Sequence, residues 1–358
     1  MKKPIRIIQK DYFLQIDLTD VRDIFLLYIS PKEFFKDENQ RISVEGNISN
    51  ADDLFRKIFV DDKKDEEDHF QQYYLDDADR EMTHWDSFIF RGQENDEWEL
   101  ETSLRREYNR LLPIQNDVSF FDREKMFLRE FIRQYSRFGN NRMFDDTEYY
   151  EWFALMQHYG VPTRFLDFSY SFYIALYFAS KSVNFNKPDD TTNFSIYAVN
   201  YRWIEQRFKK IAPRRILDLF DKKDNLGKNK EIQKEIVDSK DDRFKAVRNA
   251  NCFNYNSRLV HQRGVFLIPT DIDESFMTNL YATLTDGDKI YNNKVIKINV
   301  YLNSKHLVYL YKQLRHMSIS AENLFEDSIY SLGDIMKRKL LESRYMDSLV
   351  LPKQGAIR

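Results

Sequence analysis

The sequence predicts an α+β fold that is helix-rich, with a small twisted mixed or antiparallel sheet surrounded by helices. Three observations carry this. Short apolar runs of strand length, such as Phe88-Ile89-Phe90 and Val265-Phe266-Leu267-Ile268, alternate with longer stretches of helical spacing. Aromatic side chains are dense, with 29 Phe and 22 Tyr, which makes the packing bulky. Glycine and proline number only 9 and 8, too few for the glycine-dense turns of a barrel or sandwich.

Composition bounds the function. The chain has 358 residues, 42% of them hydrophobic, enough for one large core or two modest ones. Its 55 basic and 58 acidic residues nearly cancel, so no bulk field draws it to nucleic acid or to an acidic membrane. The single cysteine, Cys252, excludes an internal disulfide framework and suits a reducing compartment, where it reads as buried filler. No run approaches the roughly 18 apolar residues of a membrane span, and no signal-peptide stretch follows Lys2 and Lys3, so a cytoplasmic location is expected.

The elements follow in order. Residues 12–18 place Leu14, Ile16 and Leu18 on one side of a strand. Ser30-Pro31-Lys32-Glu33 reads as a helix start with a capping box, and Ser49 to Asp53 as a second, ahead of Leu54, Phe55, Ile58 and Phe59. Residues 61–68 form an acidic charge run that reads as a solvated loop. The strand Phe88-Ile89-Phe90-Arg91 then ends on a fixed positive charge, and Gly92 lets another group approach the backbone. Thr102-Ser103 opens a helix, and Phe127, Leu128, Phe131, Ile132 and Tyr135 form an apolar stripe. The helix through Tyr149, Trp152 and Met156 stops at Gly160 and Pro162. Ser169 or Ser171 caps the apolar helix 172–179. After a strand at 195–200, residues 205–250 turn polar, with scattered Ile216, Leu219, Ile232 and Ile236, and read as a helical, mobile insertion. Strands at 264–268 and 295–301 and two closing helices, across Leu307 to Leu314 and after Ser320, complete the chain.

No Walker loop, paired-glycine dinucleotide fingerprint or serine elbow is present, and no two histidines share the helical spacing of a zinc site, so no metal is expected. Chemistry concentrates instead at three element ends. These are Phe90 to Gln93, Thr163 to Ala179, and Ser257 to Phe266. Arginine suits phosphate or carboxylate recognition through paired hydrogen bonds. The plain structural reading gives Arg91 and Asp167 a buried ion pair, Gln262 a backbone hydrogen bond, and Tyr173, Tyr177 and Phe178 a place in the core.

Taken together, these stretches resemble the FRG-domain proteins, whose Phe-Arg-Gly stands here as Phe90-Arg91-Gly92. The likeness continues through Gln93, Trp98, Leu100 and Ser103-Leu104; His158-Tyr159-Gly160 with Pro162-Thr163-Arg164; and Leu166-Asp167-Phe168. It runs on through residues 175–179, then Gln262, Gly264 and Phe266, and ends with Leu324 to Asp327 and Leu332. It implies an FRG domain over residues 45–340, holding the insertion at 205–250, between an N-terminal extension (1–44) and a tail (341–358). More distantly, the chain is similar to ADP-ribosyltransferases of the arginine-serine-glutamate class. Phe90-Arg91-Gly92 matches their first strand end, Ser169-Tyr170-Ser171 before Ala175 and Phe178-Ala179 their second element, and Gln262-Arg263-Gly264 the layout of their third.

That likeness implies an ADP-ribosyltransferase-like fold with NAD as substrate. Arg91, Ser169 and Gln262 would be the catalytic positions, and Gly92, Gln93, Arg164, Asp167, Ser171 and Tyr177 would bind substrate. Arg91 would hold the pyrophosphate and the Gly92 backbone would meet the nicotinamide amide. An oxocarbenium-like state needs a carboxylate, but Gln262 and Gly264 occupy the glutamate positions, leaving Asp167 as the substitute. Two functional readings follow. One is an enzyme that cleaves NAD and passes ADP-ribose to a protein or nucleic-acid acceptor or to water; the other is a binding module that senses a nucleotide or phosphate without turnover.

Overall fold

The computed structural model describes residues 4–36, 41–48, 50–60, 85–111, 119–137, 144–145, 147–181, 191–220, 225–239, 243–250, 252, 257–325 and 336. The charge run 61–68, Ser49 of the second helix start, Glu326, Asp327 and Leu332 of the closing pattern, and the tail 341–358 lie outside the described residues.

Nine strands form one sheet. They are β1 (Ile5–Gln9), β2 (Leu14–Leu18), β3 (Ile42–Glu45), β4 (Phe88–Gln93), β5 (Leu166–Ser169), β6 (Thr191–Asn200), β7 (Val247–Ala250), β8 (Gly264–Pro269) and, after the small β9 (Thr285–Asp286) and β10 (Lys289–Ile290) hairpin, β11 (Val295–Asn303). The order is β3-β1-β2-β11-β6-β4-β5-β8-β7, and only β1–β3 and β2–β11 pair in parallel. The fold is thus mixed α/β and rich in helices, with fourteen among the described residues. The sheet is large rather than small. The N-terminal strands extend it through β11, whose register sets Ile296, Ile298 and Val300 opposite Leu14, Ile16 and Leu18, all buried. β1 and β3 escape a sequence reading because they are short and interleave their apolar residues with Arg6, Gln9, Ser43 and Glu45.

Several helix ends follow from their capping chemistry. Ser171, not Ser169, caps the helix Phe172–Ser180 by accepting from the Ile174 N–H. Gly160 follows the helix Tyr149–His158 at φ 75°, a left-handed conformation that glycine adopts without strain. Ser30 stands between the helix Val21–Ile29, capped by Asp20, and the helix Pro31–Lys36. Glu33 there pairs with Lys36 instead of closing a capping box.

Alternation along β4 divides the cores. Phe88 and Phe90 join one cluster with Phe172, Leu176 and Ile298, while Ile89 faces a second with Leu166, Val199 and Leu280. A third cluster gathers Trp152, Phe153, Phe165 and Phe266, and it takes in Phe208, Ile216, Ile232 and Ile236. Those isoleucines of the polar segment 205–250 are therefore core residues, on the helices Arg214–Phe220 and Asn225–Asp238, and its last residues form the edge strand β7. On the long helix Phe120–Arg137, Leu128 and Ile132 are buried but Phe127 points to solvent. Among the described residues no helix is long and apolar enough to cross a membrane.

Candidate ligand-binding cleft

A cleft opens where two central strands part. β4 and β5 pair at one position, Phe90 with Ser169, although β4 runs on to Gln93 and β5 starts back at Leu166. Beyond that pair the main-chain ladder is interrupted, and a side chain bridges the gap. Arg91 Nη1 donates to the carbonyl oxygen of Asp167 at 2.7 Å. The resulting cavity is about 890 Å³, large enough for a small-molecule ligand.

The electrostatics at Arg91 are unbalanced. Its side chain is 16% exposed, while that of Asp167, whose Oδ2 lies 3.7 Å from Nη1, is 58% exposed. The pair is loose and half in water rather than a buried ion pair, so the carboxylate compensates little of the arginine charge. Arg91 Nε is buried without a hydrogen-bond partner among the described residues. Burial pulls the guanidinium down from its ordinary value to about 10, an effect that Asp167 opposes and nearby Arg106 reinforces. Asp167 is otherwise held by Gln157, whose Nε2 donates to Oδ2 and whose Oε1 accepts from Thr163 Oγ1 at 2.9 Å.

Gly92 owes its identity to the helix Phe172–Ser180. A Cβ there would lie 2.0 Å from the Ala175 carbonyl oxygen and 2.5 Å from the Ala179 nitrogen, so the glycine lets a helix backbone press onto the strand. Ala175 and Ala179 make the same approach from the other side. The close partner of this glycine within the protein is thus backbone, although Gly92 also lines the cleft.

Ser169 and Gln262 both line the cleft and are both engaged. The Ser169 hydroxyl donates to the Gln262 carbonyl at 2.7 Å and accepts from the Ser171 N–H at 3.0 Å. It thereby ties the end of β5 to the turn before β8, where Arg263 adopts φ 45°. Gln262 Nε2 donates to the Leu324 carbonyl at 3.3 Å, a backbone hydrogen bond of the kind the plain structural reading expected. Gln93 lines the cleft as well. Its Nε2 donates to the Glu99 carbonyl at 3.0 Å, and its Oε1 is buried without a partner among the described residues.

Three candidates stand apart from the cavity wall. Arg164 is fully buried and gives Nε to both Glu124 carboxylate oxygens, at 2.8 and 2.9 Å, with Nη2 on the same carboxylate. That pairing clamps the helix Phe120–Arg137 to the start of β5. Ser171 is spent as the helix cap, and Tyr177 is buried in the core beside Leu176. Cys252 is buried with its thiol toward the Tyr150 carbonyl, and burial pushes its pKa up, away from nucleophilic use.

Sequence reasoning missed a run of cleft residues immediately after β4. Glu94, Glu97, Glu99 and Glu101 line the cavity together with Trp98. Arg106, Lys181 and His158 join them. Burial pushes the Glu101 carboxyl up even though the Thr102 and Phe276 N–H groups donate to it. The signal for these residues was their position, within a dozen residues of the Arg91 strand end, since loop carboxylates carry no periodicity. The cleft therefore combines a desolvated guanidinium, several acceptor-only carboxylates and an aromatic surface. A ligand that suits all three carries negative charge, hydrogen-bond donors and a ring.

Part of this cleft lies in a segment that matches a known family. Residues 86–187, spanning β4, β5 and the helix Phe172–Ser180, match the family model of the FRG domain. Residues 86–187 thus resemble an FRG domain. Its signature Phe90-Arg91-Gly92 puts one residue in the core, one over the cleft and one under a helix. No curated protein and no solved structure matches the chain. Among the described residues, no group of three or more histidine, cysteine, aspartate or glutamate side chains is arranged to hold a metal ion.

Proposed function

We propose that the FRG cleft binds a nucleotide through its phosphates, with NAD or its ADP-ribose portion as the first ligand to examine. The observation that carries this is Arg91. It is a largely buried cation whose one hydrogen bond among the described residues goes to a main-chain carbonyl and whose nearest carboxylate is loose. A phosphate beside it would restore the charge balance that burial has upset, through charge-assisted hydrogen bonds. Arg106 and Lys181 on the same wall offer further cations for a pyrophosphate.

A second reading, cleavage of the nicotinamide–ribose bond, is favoured by one feature of the cavity. The carboxylate missing at Gln262 and Gly264 has local substitutes in Asp167, Glu97, Glu99 and Glu101, all on the cavity wall. Ser169 and Gln262 would then hold the shape of the site rather than react, because the Ser169 hydroxyl and the Gln262 Nε2 are bonded to the protein itself.

One set of measurements tests both readings. The purified chain is titrated calorimetrically with NAD, ADP-ribose and inorganic pyrophosphate, and nicotinamide release is followed in parallel. Binding without release supports the sensor, and release that Arg91→Ala abolishes supports the enzyme. Failure of all three compounds to bind would remove the basis for either.

A further inference from the structure

We propose that Trp98 is a stacking platform for the aromatic base of the bound nucleotide, which makes the base, and not only the phosphate, a determinant of recognition. The inference rests on the reading that Arg91 holds the phosphates. Trp98 lines the cavity and is 53% exposed. Leaving so large an aromatic surface in water forgoes the burial that Trp85 and Trp152 obtain.

The loop that presents the indole is fastened. Asp96 accepts hydrogen bonds from Tyr301 at 2.9 Å and from Asn193. The Trp98 carbonyl accepts from the Tyr197 hydroxyl at 3.2 Å and from Lys297 Nζ at 3.4 Å. Gln93 holds the Glu99 carbonyl, so anchors on β4, β6 and β11 grip three consecutive parts of the loop. Asn95 closes the turn by accepting from the Glu97 N–H at 2.8 Å. A backbone fixed this way offers the indole at little further entropic cost, the condition under which one aromatic residue contributes most to affinity.

The flanking side chains narrow the ligand. Glu97 and Glu99 are exposed on either side of Trp98 and can only accept hydrogen bonds. They repel a bare polyanion and suit ribose hydroxyls or an exocyclic amino group. A phosphate held at Arg91, hydroxyl or amino donors toward the glutamates, and a planar ring on the indole together describe a nucleotide. A phosphosugar lacks the ring.

The test uses the full chain and calorimetric titration with ADP-ribose and ribose 5-phosphate. Trp98→Ala is expected to weaken ADP-ribose on the order of tenfold to a hundredfold, in line with base–aromatic stacking. Trp98→Phe retains a ring and is expected to stay within a few-fold of wild type. Ribose 5-phosphate should bind wild type no more tightly than ADP-ribose binds Trp98→Ala. The proposal is overturned if Trp98→Ala binds ADP-ribose as wild type does while Arg91→Ala does not, an outcome that leaves the phosphate reading standing. It is equally overturned if Trp98→Phe loses as much as Trp98→Ala. If wild type binds no ADP-ribose, the phosphate reading fails first and this one with it.

Discussion

Replacing Gly92 by alanine probes the architecture beneath the cleft. The new methyl would sit 2.0 Å from the Ala175 carbonyl oxygen, 2.5 Å from the Ala179 nitrogen and 2.9 Å from the Ala179 methyl. Ordinary non-bonded carbon contacts lie at about 3.5–4.0 Å, so the helix Phe172–Ser180 and β4 must separate by on the order of 1 Å or more. Two of the three obstacles are main chain, and no rotamer change relieves them. Overpacking of this kind costs about 1–3 kcal/mol, and rigid backbone places Gly92→Ala near or above the upper end. Restricting the unfolded chain returns only about 0.4–1 kcal/mol. The net expectation is a loss of about 2 kcal/mol or more, read as a lower urea midpoint with an unchanged slope. A midpoint equal to wild type would refute the reasoning, because it would mean the helix does not bear on the strand at Gly92.

Other expectations follow from single sites. Glu124→Ala strands Arg164 in the core and should cost about 3–5 kcal/mol in denaturant titration, whereas the paired change Glu124→Leu with Arg164→Met should recover most of it; equal losses would contradict the buried pairing. Lys294, 1% exposed beneath Trp203, is pulled by burial from 10.5 to about 8. The unfolded chain therefore binds more protons between about pH 8 and 10.5, so this group penalises the fold fully below pH 8 and the penalty fades as pH rises. Lys294→Met should be more stable than wild type at pH 7 by an amount on the order of 3 kcal/mol less any packing cost, and the gap should shrink by pH 9.5. A gap independent of pH would show that Lys294 is not desolvated.

The parts of this molecule that could be read from the sequence are those written locally. Strand alternation marked Phe88 to Arg91 as two-faced, and Ser169 or Ser171, together with Gly160, marked helix ends by capping chemistry that needs only three or four neighbouring residues. The pairing of Arg164 was not legible because its partner Glu124 is 40 residues away, and a motif arginine at an element end looks the same whether it awaits a ligand or is already paired. The size of the sheet was hidden for a similar reason, since β2 and β11 meet across nearly the whole chain. The carboxylates after β4 were adjacent to the motif but lacked any pattern, and only the parting of β4 from β5 turns them toward a common space. A structural reason for Gly92 likewise needed the crossing helix, although the small residues Ala175 and Ala179 were its counterpart in the sequence.

The most direct test of the account is calorimetric titration of ADP-ribose into the wild-type chain and into Arg91→Ala and Arg91→Lys. Charge-assisted hydrogen bonds contribute about 1.5–3 kcal/mol, so the account predicts that Arg91→Ala weakens binding by about tenfold or more, with Arg91→Lys between the two. It also predicts that the wild-type affinity falls with added salt while the Arg91→Ala affinity falls less steeply. Equal affinity in wild type and Arg91→Ala, both folded, would contradict it.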